Sequence, residues 1–380
     1  MTMTWHVRVH GSAQAVDPNL WAHLLGEEGK RCPFLRRDFF VALEESGAAC
    51  RETGWQAAHI TLEQDGEARA LLPLYAKSHS YGEYVFDHAW ARAFEQAGGR
   101  YYPKLLSAIP FTPVPGQRLI TPHLDELGDM LEALAQWLAQ QNFSSFHLLF
   151  ARGEAGEIKP PFMRRKDLQF HWHNRNYEDF DDFLSALNSR KRKQIRKERA
   201  KVHASGLRIE FLCGEDIKAE HWDGFCRAHD ATVDRKWGQA YLNRDTFAML
   251  QESMGADLRL SAAFDGNNMV AAAWSMCGAD SLFGRQWGCI NRLDGLHFEL
   301  CYYQTIEHAI MHKLLHVEAG VQGEHKIARG FEPVATHSIH YVQHQGLADA
   351  VSDFLRHETG MVDHAIREYQ EMTPFRKEDA

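Results

Sequence analysis

Two stretches of this chain carry the same plan. Residues 59–75 read as an alternating strand, an Asp65-Gly66 turn and a more apolar strand, and residues 260–274 repeat that plan around Asp265-Gly266. Asp-Gly between two β-like runs is a strong hairpin signal, because both residues tolerate positive φ. Each hairpin is followed by an aromatic and glycine-bearing segment and then by a helical pattern. A chain written twice in this way is constrained to a duplicated α/β unit with antiparallel pairing.

The length of 380 residues allows two such units, each with its own core. A hydrophobic content of 44% with 24% charged residues is that of a water-soluble globular chain. The formal net charge of −9 argues against a dedicated nucleic-acid coat, while leaving room for local basic surface. The N-terminus lacks an apolar signal core, and no window approaches the roughly 18 apolar residues that span a bilayer. Seven scattered cysteines without a CxxC pair read as reduced thiols in a cytoplasmic protein.

Periodicity predicts strands at 5–10, 145–150, 168–173, 208–212, 281–287, 316–318 and 338–342, besides the two hairpins. It predicts helices over 33–50, 124–141, 179–203, 217–232, 244–253, 296–313 and 347–369. The Gly- and Pro-bearing stretch 153–161 reads as the boundary between halves. The expected organisation is therefore a first domain over 1–155, a second over 156–345, and a C-terminal helix and tail over 346–380. Strands interleaved with helices and joined partly by hairpins give an α/β (α+β) chain with mixed, mostly antiparallel sheets flanked by helices. Phosphate-binding glycine loops, the serine-hydrolase elbow and the HExxH zinc motif are all absent, so those chemistries lack their geometry.

Four constellations carry candidate chemistry. The run Ser189-Arg-Lys-Arg-Lys-Gln-Ile-Arg-Lys-Glu-Arg-Ala-Lys201 places Arg192, Arg196 and Arg199 on one helical face beside Lys193 and Lys197. That face suits either a polyanion (pyrophosphate, coenzyme A or a tRNA end) or a merely solvated surface. Lys326 lies among glycine and proline turns just past a predicted strand, where it can neutralise a phosphate or an oxyanion. Residues 77–90 mix polar groups with aromatics. Alternation there puts Tyr81, Glu83 and Val85 on one strand face and Asp87 beyond it, so that Glu83 or Asp87 can act as a base toward an amine. His308, His312 and His316 have helical metal-ligand spacing but no completing Asp or Cys, so no metal is expected.

At these residues the chain resembles a known family. Tyr81-Gly-Glu-Tyr-Val-Phe-Asp-His-Ala-Trp90, Arg100-Tyr-Tyr-Pro-Lys104, Pro110-Phe-Thr-Pro-Val-Pro-Gly116 and Gln322-Gly-Glu-His-Lys-Ile-Ala-Arg-Gly-Phe-Glu-Pro333 are similar to the FemAB-like peptidoglycan biosynthesis/recognition group of the acetyltransferase (GNAT) superfamily. The resemblance runs from about residue 33 to 340. It implies tandem GNAT domains holding substrate between them, and transfer of an acyl or aminoacyl group to an amine, such as that of a cell-wall precursor. Lys326 matches the family's lysine loop, and Arg190–Arg199 matches its basic helix start. The acetyl-CoA signature Gln/Arg-x-x-Gly-x-Gly/Ala is missing, which turns the expected donor toward aminoacyl-tRNA or another activated acyl group, with no tightly bound cofactor.

The roles that follow are Lys326 with Arg285 for the oxyanion or donor phosphate, and Glu83 or Asp87 for the acceptor amine. Lys191, Arg192, Lys193 and Arg196 would hold the donor's anionic part, and Tyr81, His88 and Trp287 would line the substrate. The competing expectation is a non-catalytic module that binds an anionic ligand, either a cell-wall precursor or nucleic acid.

Overall fold

The computed structural model describes residues 5–235, 238, 240–320 and 323–376. Met1–Thr4 and Gln322, the first residue of the lysine-loop motif, therefore lie outside the described residues. The strands are β1 (Trp5–His10), β2 (Trp55–Ala57), β3 (His59–Gln64), β4 (Glu67–Leu72), β5 (Tyr75–Lys77), β6 (Lys104–Ser107) and β7 (Ser145–Ala151). They continue with β8 (Met163–His173), β9 (Arg208–Cys213), β10 (Leu258–Asp265), β11 (Asn268–Cys277), β12 (Ser281–Cys289), β13 (His316–Glu318) and β14 (Glu332–Val342). The main helices are α1 (Pro18–Leu25), α2 (Arg37–Glu45), α3 (His88–Gln96), α4 (Leu127–Leu138) and α5 (Phe180–Ala186). After them come α6 (Ser189–His203), α7 (Ala219–Asp234), α8 (Arg244–Met254), α9 (Gln304–Met311) and α10 (Gln345–Glu371). Among the described residues no helix is long and apolar enough to cross a membrane.

The chain forms two compact units. Unit 1 takes residues 1–167 and 335–364, and unit 2 takes residues 168–334 and 365–380. In unit 1 the strand order is β2-β5-β6-β7-β14, with a separate three-stranded sheet β1-β3-β4. In unit 2 the order is β9-β10-β11-β12-β13-β8. The two orders share a signature: one parallel pair (β6 with β7, β12 with β13), closed by an antiparallel strand (β14 on β7, β8 on β13). Unit 1 buries Leu62, Leu105, Met130, Leu134, Phe146 and Ile339 in one cluster. Unit 2 buries Trp172, Phe183, Leu282, Tyr303, Ile306 and Val317 in another.

Both predicted hairpins form, but they differ. Asp65 and Gly66 take φ of 52° and 85°, the pair of positive values a type I′ turn needs. In the second hairpin Asp265 stays paired with Asn268, so the turn is Gly266-Asn267 rather than Asp265-Gly266. Only the first central residue, Gly266, then needs positive φ (57°). The first hairpin is also broken. Pro73, which has no N–H to give a ladder, separates β4 from β5. Ahead of it, Leu71 exchanges both of its bonds with Ile120 (2.9 and 2.8 Å). The tip half therefore joins β1, and the base half β2-β5 joins the larger ladder. In unit 2 the matching hairpin β10-β11 runs unbroken.

Other expectations are corrected locally. Residues 81–87 form no strand; they are a turn-rich loop with Tyr84 at φ 64°, so Tyr81 and Glu83 share no strand face. The helix expected over 33–50 is a 3₁₀ turn at Pro33–Leu35, an extended Arg36 and then α2, because Pro33 suits only a first turn. The helix expected over 179–203 is two. Leu187 is extended, and the Asn188 side chain caps α6 by accepting from the Lys191 N–H at 3.0 Å. The lysine segment is not open loop but a 3₁₀ run, Glu324–Arg329.

Candidate functional site

In unit 2 the parallel strands pair only at Ser281↔His316, Leu282↔Val317 and Phe283↔Glu318. Beyond that point β12 runs on to Cys289 while the other strand ends, and the ladder forks. Gly284 sits in the crotch, where a Cβ would lie 3.3 Å from the Glu318 carbonyl. On the opposite edge β12 slips register against β11 between Ala273 and Ser275, a bulge that re-aims neighbouring side chains. The fork encloses a cavity of about 70 Å³ lined by Arg285, Trp287, His297, Cys301, Tyr302 and Ala319, among others. Cys301 and Tyr302 come from a π-helical turn, Glu299–Tyr303, that leads into α9. Such turns widen a helix locally and recur at functional sites. Arg285 and Trp287, both anticipated from sequence, are thus brought together at one cavity. Its remaining lining had no sequence motif to announce it.

Lys326 lies close behind this lining. Its side chain is fully buried, and Nζ donates to the carbonyl of Gly320, the residue after Ala319, at 2.5 Å. Burial pushes its pKa down to about 7, with the Cys301 thiol as the opposing neighbour. Burial likewise holds the Cys301 thiol well above its usual range, against the opposing pull of Lys326. Gly323 at φ 117° and Gly330 at φ 86° bracket the 3₁₀ run. A Cβ at Gly330 would meet the Phe183 ring at 2.9 Å.

The basic helix α6 is anchored by its second half. Arg329 donates to Glu198 at 2.9 and 3.0 Å, its guanidinium 3.3 Å over the Phe298 ring. Arg199 pairs with Glu299, which is wholly buried, and with Glu307. Arg199 therefore serves packing, a correction to its placement on the anion-holding face. Arg196 makes an exposed pair with Asp181. Lys191, Arg192 and Lys193 lie at the opposite end, in the first turns of the helix, where no acidic residue stands. Three cations beside a positive helix end oppose the macrodipole, so an anion there relieves a local repulsion.

In unit 1 the sequence-selected carboxylates turn inward. The Lys104 ammonium donates to Ser80 Oγ (2.8 Å), Glu83 Oε2 (2.7 Å) and Asp87 Oδ2 (2.5 Å), and all four residues are buried. The Tyr101 hydroxyl donates to Asp87 at 2.7 Å and lies 3.2 Å from His147 Nε2. His147 and His340 meet Nδ1 to Nδ1 at 2.7 Å. Strand register explains the row. Lys77 lies opposite Lys104, and His147 opposite His340, on four neighbouring strands.

Burial works against ionised Asp87, but Lys104 more than reverses it and holds that carboxyl below its usual range. Burial lifts Glu83 to about 7 in spite of Lys104, and Glu83 Oε1 has no hydrogen-bond partner. Burial lowers Lys77 to about 7, against the pull of Glu83; its ammonium sits 3.7 Å over the Trp55 ring. Lys77 stood in the polar and aromatic cluster read from sequence and Lys104 within a quoted motif, whereas His147 and His340 were not singled out.

Tyr81 and His88 do come together, outside this cluster. Their rings are 5.8 Å apart in a surface row that includes His79 (5.3 Å from Tyr81) and Phe86 (6.0 Å from His88). The histidines of the predicted metal spacing do not converge. His308 stacks on Phe211 and lies tilted against His312, whereas His316 pairs with His173. No group of metal-ligating side chains occurs among the described residues.

The fold is that of several solved structures, all of low sequence identity. FemX aligns at TM-score 0.54 with 12% identity, over 91% of this chain and 100% of that one. L-PGS from Bacillus licheniformis aligns at 0.53 with 9% identity, over 90% and 96%. The C-terminal domain of a putative lysylphosphatidylglycerol synthetase from Agrobacterium fabrum aligns at 0.52 with 7% identity, over 89% and 95%. No curated protein sequence matches the chain. The family described as FemAB-like, peptidoglycan biosynthesis/recognition, matches residues 12–377. With a match over nearly its whole length, this chain belongs to the FemAB-like family.

Proposed function

We propose that the protein is an N-acyl or aminoacyl transferase that moves an acyl group from an activated donor to the amine of a cell-wall precursor. The observation that carries this reading is the forked cavity of unit 2, where a cation and an aromatic ring, Arg285 and Trp287, line a slot backed by buried Lys326. An acyl carbonyl in the slot meets a guanidinium able to stabilise the oxyanion as the amine adds. Lys326 acts beside it, as its ammonium form places a second positive charge there. The anionic part of the donor, a tRNA end or a coenzyme A phosphate, is held by Lys191, Arg192, Lys193 and Arg196. Of the two carboxylates, Glu83 is the one whose pKa of about 7 suits removal of the acceptor's proton; Asp87 is held ionised by Lys104. All seven cysteines are free, which suits a reducing cytoplasmic setting.

The full enclosure of Lys326 favours a second reading, a recognition module that binds without turnover. The test is to incubate the pure protein with charged tRNA, or with acetyl-CoA, and an amine-bearing peptidoglycan precursor, and to follow loss of the acyl group and its appearance on the amine. Lys326→Ala should lower turnover about a hundredfold if it stabilises the oxyanion; unchanged turnover removes it from the mechanism. Binding with a steep salt dependence and no transfer to any acceptor would establish the module instead.

A further inference from the structure

The small sheet of unit 1 ends on an open strand. On one side β4 is covered, because Leu71 exchanges both of its bonds with Ile120. On the other, β1 pairs with β3 from Trp5↔Gln64 to His10↔His59 and with no further strand. Among the described residues its outward N–H and C=O groups make no backbone bond. Exposed edges are usually blunted by proline, lysine or a bulge. Trp5-His-Val-Arg-Val-His10 has none of these: its register is unbroken, and Arg8 is tied to Glu63 of β3 at 2.9 Å.

Beside that edge runs a groove of about 520 Å³. One wall is Trp5, His6 and Val7. Consecutive strand residues point to opposite faces, so three in a row line one groove only where it follows the strand's edge. The other wall includes Asp129, Glu132, Ala133, Gln136 and Trp137 of α4. Their spacing of three and four residues puts them on one helix face, roughly 12 Å long, about the length of four extended residues. An open sheet edge recognises an extended peptide through its main chain, and the side chains beside it set the preference.

The groove's chemistry states that preference. No lysine or arginine lines it, and Asp129 and Glu132 make no ion pair among the described residues. Trp5, Val7 and Trp137 pack against the core of unit 1 and give the groove an apolar floor. A guest strand that alternates apolar residues with lysine or arginine sets the first on this floor. Its long cationic side chains are left to reach the two carboxylates.

We propose that β1 is a docking edge for an extended segment of a partner protein in which apolar residues alternate with lysine or arginine. The proposal rests on the open edge and the acidic groove and not on acyl transfer, so either can fail alone. The test uses the full chain without acyl donor, and fluorescein-labelled hexapeptides that alternate valine with lysine or valine with glutamate. Binding is followed by anisotropy and by hydrogen exchange of the amides of residues 5–10. The valine–lysine peptide should bind and slow that exchange about tenfold, and Asp129→Asn with Glu132→Gln should weaken it about tenfold or more. Both are exposed side chains whose replacement leaves the circular dichroism spectrum unchanged. Two forms of the peptide, N-methylated on alternate residues, should differ in affinity, since only one set of amides faces β1. No binding at millimolar concentration, equal binding of the valine–glutamate peptide, or equal affinity of the two methylated forms would overturn it. So would a protein dimer that protects the same amides with no peptide present, which assigns the edge to a second copy.

Discussion

At the scale of single residues, burial decides more than charge does. Lys326 and Lys77 each sit where desolvation outweighs their neighbours, and each loses its proton near pH 7. Unfolded, the same lysines hold that proton to about pH 10.5. The unfolded chain thus binds more protons between those values, and stability rises with pH across that window. The penalty is fully present below pH 7. Lys326→Met should therefore gain less stability between pH 7 and pH 9 than the parent does, as read by urea unfolding at both values. Equal gains would place the lysine in a wetter environment than its burial indicates. Above pH 9 thiols such as Cys226, pushed up to about 11 by burial, begin to act in the opposite sense. The sequence identified Lys326 by its glycine and proline setting, yet could not show this enclosure, because it depends on segments distant in the chain. Glu83 and Asp87 illustrate the same limit. Their richness in aromatic neighbours was legible, but the partner that holds them, Lys104, is brought in by strand pairing.

At the scale of elements, periodicity was a sound guide wherever a segment met one constraint at a time. Helix α6 is an example. Its positive face was visible in the spacing of Arg192, Arg196 and Arg199, but Glu299, wholly buried, draws the last of these inward. Arg199→Met should leave that carboxylate uncompensated and cost about 3 kcal/mol in urea denaturation. Arg196→Ala, at an exposed pair, should leave the midpoint within error. Strand β12 offers a second contrast. A Cβ at Gly288 would lie 2.2 Å from the His229 backbone nitrogen in α7. Gly288→Ala must push helix from strand and should cost about 3 kcal/mol by the same measurement. The hairpins were legible from Asp-Gly and alternation, whereas the split at Pro73 was not weighed. A proline there reads as a strand end until the distant Ile120 segment, which takes up the ladder beside it, is known.

For the molecule as a whole, connectivity matters more than the sequence boundary near residue 155 suggests. Unit 1 recovers residues 335–364 after the chain has built unit 2. Strand β14 then pairs with β7, and Val342, Leu347, Val351 and Leu355 cover Trp90 and Tyr101. A fragment ending at residue 167 lacks all of these and should show no cooperative thermal transition by circular dichroism; a sharp one would mean that the late segment is dispensable. The repeated units also differ where their parallel strands part. In unit 1 the chain that leaves β6 returns through the Pro110–Gly116 segment, and Gly116 bonds to the carbonyl of Phe150 at 3.0 Å, in parallel beside Ala151. Unit 1 has in effect corked the matching position with a proline-stiffened stretch of backbone. Despite its internal repetition, the protein should consequently titrate, under the acyl transfer proposed above, with a single equivalent of donor per polypeptide, and a stoichiometry of two would show the unit 1 position to be open.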